Sequence, residues 1–218
     1  ELRAPLTAVR WSAEGLLKSV TDVKAHLETA KVKDSMTTID LAATNMLELV
    51  NDLLDVAKIE AGKFDLNIQE YDVVASIKEQ IKAFEPQATA KHLVINYIGP
   101  DKQMVKFDRV RISQVITNLL SNSIKYTDSG QIDLSVALEE KDKRVVVSIK
   151  DSGIGVSRED LSVLFSKFKQ LKTFDSSRKG TGLGLVVSKG IVEAHDGQIW
   201  AESAGENLGS TFYFSLPL

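Results

Sequence analysis

Residues 114–127 read Gln114-Val115-Ile116-Thr117-Asn118-Leu119-Leu120-Ser121-Asn122-Ser123-Ile124-Lys125-Tyr126-Thr127, and the fold of the whole chain is read outward from them. Val115, Ile116, Leu119, Leu120 and Ile124 recur at steps of three and four, which predicts a helix over 109–125 with one buried face. Asn118 and Asn122 lie one turn apart on another face, and Lys125 follows three residues later. Amide oxygens are neutral ligands suited to a hard cation such as magnesium, which keeps much of its water and balances its charge with substrate phosphates. Lys125 would then face those phosphates. Two asparagines at this spacing also serve as surface or capping residues, and the helix alone leaves both readings open.

Two strands are expected beyond this helix. Ile132, Leu134, Val136 and Leu138 alternate with polar or small residues, and 144–150 is a denser β-branched run, so the turn at 139–143 suggests an antiparallel pair. Directly after the second strand stands Asp151-Ser152-Gly153-Ile154-Gly155, whose glycines permit tight turning and close approach to a ligand. An aspartate fixed there can accept a hydrogen bond from the exocyclic amine of adenine, which guanine does not offer at that position. The plainer reading is a strand-to-helix turn with an Asx cap. Farther on, Gly180-Thr181-Gly182-Leu183-Gly184-Leu185 opens a helix, and N–H groups at a helix start are ready phosphate ligands. It follows no predicted strand and no Gly-Lys-Ser/Thr loop is present, which disfavours dinucleotide and P-loop folds. Gly209-Ser210-Thr211-Phe212 reads alone as a loop entering a strand.

The remaining pattern from residue 63 predicts strands at 64–71, 93–98, 104–107, 198–203 and 210–216. It predicts helices at 73–91, bent or interrupted by Pro86, at 157–165 and at 184–194, and a polar loop at 170–179. This is an α+β sandwich with a mixed sheet and helices on one face.

Upstream the texture changes. Gly15 is the only glycine before Gly62, and Leu2, Leu6, Val9, Ala13, Leu16, Val20, Val23, Leu27 and Ala30 form a heptad seam. After the polar stretch 31–35, a second seam runs Met36, Ile39, Ala43, Met46, Val50, Leu53, Ala57, with Gly62 as its stop. Two long helices make an all-α hairpin, and its wide apolar face predicts a homodimer closed as a four-helix bundle.

The 218 residues are 43% hydrophobic and 26% charged, an ordinary globular composition that excludes disorder and collagen-like repeats. With a net charge of -3 and no basic block, no nucleic-acid partner is expected. Absent cysteine rules out disulfides, thiolate nucleophiles and thiolate zinc sites. No apolar run approaches a membrane span, so any membrane attachment is expected only through segments outside this sequence, and the core is expected to be cytoplasmic. The opening Glu1-Leu2-Arg3, without Met or an apolar leader, suggests a fragment of something longer.

Taken in order, residues 114–127, 151–155, Leu164-Phe165-Ser166-Lys167-Phe168 and 180–185 resemble the N, G1, F and G2 boxes of sensor histidine kinases. Glu1-Leu2-Arg3-Ala4-Pro5-Leu6-Thr7 resembles their H box, starting just after its histidine. The resemblance covers essentially the whole chain. It implies a dimerisation and histidine phosphotransfer hairpin over 1–62 and a catalytic domain of the GHKL (Bergerat-type) ATP-binding fold over 63–218. It implies that Asp151 reads adenine, that Asn118, Asn122, Lys125 and Tyr126 hold magnesium and phosphates, with the two asparagines as metal ligands, and that Gly153, Gly155, Gly180, Gly182 and Gly184 give backbone freedom. Thr181 and Leu183 fall in the same cofactor-binding loop, and residues 166–179 form an ATP lid whose cations Lys179 and Arg178 lie near the triphosphate.

The reaction so implied moves the γ-phosphoryl group of ATP to a histidine, then to an aspartate of a response-regulator receiver domain. Glu1 matches the acidic residue that takes the imidazole proton. The acceptor is expected just before Glu1, since His26, His92 and His195 all lie elsewhere; His195 would cap helix carbonyls. Ala4 stands where many relatives carry a water-orienting Thr or Asn, so weak phosphatase activity is expected. The alternative is an inert ATP-binding dimeric scaffold that signals by contact.

Overall fold

The computed structural model describes residues 7, 9–16, 29–167 and 181–218. The expectations for Glu1, Ala4, His26, Phe168, Arg178, Lys179, Gly180 and the loop at 170–179 lie outside the described residues. Two compact units are present, Glu1–Asp55 and Val56–Leu218.

In the first unit residues 9–16 are helical, and a long helix, α1 (Thr29–Glu60), begins there and ends in the second unit. The polar stretch 31–35, expected to separate two helices, is the start of α1 instead. It holds no glycine or proline, and its charged residues are adequate helix formers. Ala42 and Leu49 are buried, whereas Met36 (60% exposed), Leu41, Leu47 (66%), Val50, Leu53 and Leu54 stand open. At the far end Gly62 adopts φ 62°, and Gly62 N–H and Lys63 N–H donate to the carbonyls of Ile59 and Lys58. This is the expected glycine stop, in Schellman form.

The second unit continues β1 (Gln69–Asp72), α2 (Val73–Ala90), β2 (Leu93–Ile98), β3 (Met104–Phe107), α3 (Arg109–Tyr126), β4 (Gly130–Glu139) and β5 (Arg144–Asp151). It closes with α4 (Arg158–Leu161), α5 (Gly184–Ala194), β6 (Gln198–Glu202) and β7 (Ser210–Pro217). Five strands form one sheet in the order β2-β4-β5-β7-β6; β2 and β4 run parallel and every other pair is antiparallel. The mixed sheet agrees with the sequence pattern. A separate two-stranded sheet, β1 with β3, has no sign in it.

Alternation builds the core. Ile132, Leu134 and Val136 of β4, Val145, Val147 and Ile149 of β5, and Phe212, Phe214 and Leu216 of β7 are buried on one face. Against this face α3 sets Ile112, Val115, Ile116, Leu119 and Leu120, and α5 sets Val187 and Ile191.

Three local expectations are corrected. The strand expected at 64–71 shrinks to Gln69–Asp72, because Asn67 N–H donates to Asp108 Oδ2 and the Phe64 ring lies 4.6 Å beneath the Arg111 guanidinium instead of joining a ladder. Helix α2 runs through Pro86 without interruption. The helix expected at 157–165 is a single turn, capped by Ser157, whose Oγ accepts from Asp160 N–H.

Candidate functional site

Strand period and register place the first site residue. On β5, Val145, Val147, Ile149 and Asp151 share the inward face, so Asp151 ends an otherwise apolar row at the carboxyl end of the central strand. Its register partner across the ladder is Ser210, on the inward face of β7. Asp151 is only 5% exposed. Oδ1 accepts from Gly153 N–H at 2.9 Å and Ser210 N–H at 3.2 Å, and Oδ2 accepts from Ser210 Oγ at 2.7 Å. A carboxylate offers about four lone-pair sites, so three donors lock its orientation and leave it room for one more.

The loop after Asp151 is held by a second loop, residues 203–209. Gly209 N–H donates to Gly153 O, Asn207 N–H to Ile154 O, and Val156 N–H to Ser203 Oγ. Gly155 adopts φ 66°, and a Cβ there would lie 2.0 Å from Gly205 O. Gly153 needs its bare Cα for another reason: a Cβ would lie 2.4 Å from Tyr126 O and 2.9 Å from both Asp151 Oδ1 and Thr127 Oγ1. Ile154 N–H donates to that same Tyr126 carbonyl at 3.1 Å. The end of α3 and the glycine turn after Asp151 are thus one packed body.

Helix α3 carries the other side of the site. Asn118 Nδ2 donates to Gly184 O at 3.2 Å and to Ser188 Oγ at 3.3 Å, which ties α3 to α5. Among the described residues the half-buried Asn122 amide makes no hydrogen bond. Lys125 lies with Nζ 5.3 Å from the Tyr126 ring centroid; no carboxylate pairs with it among the described residues, and burial lowers its pKa below the ordinary lysine value. One face of α3 therefore offers amide groups and a partly desolvated cation with no counter-charge among the described residues. An anion would relieve that cation. No cluster of three His, Asp or Glu able to hold a metal occurs among the described residues, so a divalent ion here would depend on amide oxygens and on the ligand's own anionic groups.

The glycine-rich loop is described from Thr181 onward. Leu183 N–H donates to Thr181 Oγ1, and Leu183 O accepts from Val187 N–H to start α5. The Leu183 side chain is fully buried, so its role here is to anchor the loop in the core. Gly182 has φ 69°, whereas a Cβ at Gly184 would meet Asn118 at an ordinary 3.6 Å.

Several supporting residues carry no mark in the sequence. Lys91 Nζ donates to the carbonyls of Ile124 (2.7 Å), Lys125 (3.2 Å) and Thr127 (3.2 Å) and so caps the carboxyl end of α3. At the other end Asp108 caps α3 through Arg111 N–H. Asp108 N–H itself donates to Nε2 of the buried His195, whose Nδ1 bonds Ile191 O at 2.8 Å. The expected carbonyl cap by His195 is present, and the bond to Asp108 adds a clasp between α3 and α5. For Ser210 the one signal is its place in the 209–212 run.

This arrangement of Asp151, its glycine turn, α3 and the loop before α5 has counterparts of known class. Residues 107–218 match the family described as histidine kinase-, DNA gyrase B-, and HSP90-like ATPase. The chain belongs to that family. Residues 1–62 match the His Kinase A (phospho-acceptor) domain, and the two together are the make-up of a sensor histidine kinase catalytic core. BarA of Escherichia coli K12, a signal transduction histidine-protein kinase, is 35% identical over 100% of this chain and 24% of its own length. The chain spans from 11% to 35% of the length of such curated relatives. Among solved structures, the histidine kinase AdeS of Acinetobacter baumannii is 27% identical with a TM-score of 0.78, covering 100% of this chain and 96% of its own. Full-length ShkA, solved in complex with AMPPNP, shares the fold at 22% identity and a TM-score of 0.76, over 98% of this chain and 46% of its own. No described helix of the present kinase core is long and apolar enough to cross a membrane.

Proposed function

We propose that this chain is the ATP-dependent core of a protein histidine kinase in two-component signalling, with a phosphotransfer hairpin over 1–62 and a nucleotide-binding domain over 63–218. One observation carries the reading: the buried Asp151 carboxylate accepts three hydrogen bonds and has capacity for a fourth at one end of a packed body, while Lys125, without a carboxylate partner among the described residues, stands with Asn118 and Asn122 on one face of α3. A purine amine suits the first and a polyphosphate the second. The bound AMPPNP of ShkA supports the same ligand class.

In this reading Asp151 accepts from the adenine amine, with Gly153 and Gly155 letting the base approach. Tyr126 and Lys125 line the path to the phosphates, where Gly180, Thr181, Gly182, Leu183 and Gly184 contribute backbone and Lys179 a lid cation. Asn118 and Asn122 fit a magnesium ion, since the Asn122 amide makes no hydrogen bond among the described residues and Asn118 spends only its Nδ2 on α5. Magnesium, when bound, neutralises phosphate charge and so eases phosphoryl transfer. The α1 residues left open, Met36, Leu47, Val50 and Leu54 among them, support a homodimer through the hairpin. Glu1 takes the proton of a histidine just before it, and a receiver domain accepts the phosphoryl group.

The test adds magnesium and γ-labelled ATP to the protein extended by that histidine. Acid-labile, alkali-stable label is expected, and it should vanish on Asn122→Ala. Nucleotide binding without phosphohistidine would refute the kinase reading and leave a dimeric ATP-binding scaffold.

A further inference from the structure

Every polar group of the buried Asp108 is engaged, and its partners come from three separate parts of the chain. Oδ1 accepts from Arg111 N–H at 3.1 Å and the main-chain carbonyl from Ile112 N–H at 2.9 Å, which starts α3. The Asp108 N–H donates to His195 Nε2 at 2.9 Å, where α5 ends. Oδ2 accepts from Asn67 N–H at 2.9 Å. Capping a helix needs only one side-chain oxygen. The second oxygen is spent on residues 63–68, the stretch without regular structure between the Gly62 stop and β1, and Phe64 of that stretch sets its ring against the Arg111 guanidinium.

Helices α3 and α5 meet at two levels. The start of α3 meets the end of α5 through Asp108 and His195, and Asn118 meets Gly184 and Ser188 in the first half of α5. The two helices are therefore antiparallel neighbours. The carboxyl end of α3 is fixed independently, by Lys91 and by the bond from Ile154 N–H to Tyr126 O. With that end held, the placement of its start decides how α3 lies along α5. Asn118, about 15 Å of helix from Asp108, moves with the start, whereas the Asp151 turn is packed against the fixed end.

We propose that Asp108 is a positioning residue for the phosphate end of the nucleotide site, and that segment 63–68 acts on that end through Asp108 Oδ2. The inference rests on the nucleotide reading above. One carboxylate oxygen holds the helix and the other holds the segment, so a displacement of residues 63–68 reaches the gap between Asn118 and the loop before α5 without disturbing the turn after Asp151.

Asp108→Ser keeps a capping oxygen for Arg111 N–H and the main-chain bond to His195, but gives up the reach to Asn67. Asn67→Pro removes the same bond from the other side, since proline has no N–H. Dissociation constants for ATP with magnesium and for adenosine are measured on the 218-residue chain, at a temperature where circular dichroism shows each variant folded. Each single variant should bind ATP about fivefold more weakly and adenosine within about twofold of wild type. The double variant should be no weaker than either alone, because both changes cut one bond. Phe64→Ala, which frees the segment from Arg111 and leaves Asp108 intact, should weaken ATP binding and spare adenosine in the same way, and it stands in for Asn67→Pro where that variant does not fold. Equal weakening of ATP and adenosine would make Asp108 a cap that serves the fold alone and would overturn the inference. Unchanged ATP binding in Asp108→Ser, or additive losses in the double variant, would overturn it as well. Failure of the wild type to bind ATP at all would instead overturn the nucleotide reading beneath it.

Discussion

Asp151→Asn separates recognition of the base from the integrity of the fold. The wild-type carboxylate accepts from Gly153 N–H, Ser210 N–H and Ser210 Oγ–H and keeps one acceptor site for a ligand amine. Asparagine can keep Oδ1 facing the two amides, and its Nδ2 can donate to Ser210 Oγ, since a hydroxyl accepts as well as donates. The three internal bonds then survive as neutral ones, about half as strong as charge-assisted bonds. A stability loss on the order of 1 kcal/mol, about 2–4 °C in melting temperature for a chain of this size, is the expected cost. The ligand loses more. A bond from adenine's amine to a charged acceptor contributes about 1.5–3 kcal/mol, and in the variant Nδ2 turns a donor toward that donor. ATP should therefore bind roughly 10- to 150-fold more weakly. Titration of a fluorescent adenine nucleotide, with a thermal melt of the same samples, measures both quantities. If the variant melts near wild type and binds ATP within twofold of it, Asp151 does not read the base.

Lys125→Gln should do the opposite to stability. Burial lowers the folded-state pKa of Lys125, so as pH falls through about 10.5, the ordinary lysine value, the unfolded chain takes up the proton first. The penalty is absent above that value and complete below the folded pKa. The variant should therefore melt higher than wild type at pH 7, converge with it above about pH 10.5, and bind ATP more weakly; an equal or lower melting temperature at pH 7 would count against a desolvated cation. Gly153→Ala would press its Cβ against Tyr126 O, a backbone atom held by Ile154 N–H, and should cost about 1–3 kcal/mol together with most nucleotide affinity. A melt and a titration indistinguishable from wild type would refute that contact. His195→Ala strips Asp108 N–H of its partner inside the core and removes the ring's bond to Ile191 O, which keeps the backbone N–H of residue 195, and should cost about 2–4 kcal/mol in chemical denaturation; a loss below about 1 kcal/mol would show that the clasp between α3 and α5 is not needed.

Local pattern makes most of the elements legible in the chain itself. The three-four period of α3, the two-residue period of β4 and β5, and the glycine at 62 each need only neighbouring residues, and the folded chain follows them nearly to the residue. Local pattern misleads where a distant group takes over a backbone. Residues 64–68 carry strand-like composition, but Asn67 N–H is claimed by Asp108, forty-one positions away. The polar stretch 31–35 resembles a connection because polarity suggests a turn, although it contains no residue that stops a helix.

The same division runs through the site. Asn118, Asn122 and Lys125 are legible together because one helix spaces them. Asp151 is legible only as the end of a strand; its partner Ser210 stands fifty-nine positions later and is chosen by the pairing of β5 with β7. Lys91 is more remote still in logic, since a lysine at the end of one helix gives no sign that its ammonium will cap another through three carbonyls. Those three bonds hold the end of α3 at the point where Tyr126 O accepts from Ile154 N–H in the glycine turn after Asp151. Motif residues name the ligand's chemistry, and residues outside the motifs set the distances between them. Substitution at Lys91 should for that reason weaken base and phosphate recognition together, whereas substitution at Asp151 or Lys125 should weaken one and spare the other. Matched titrations with adenosine and with inorganic pyrophosphate separate the two cases: loss of adenosine binding alone in Lys91→Met would mean that the cap serves only the base side.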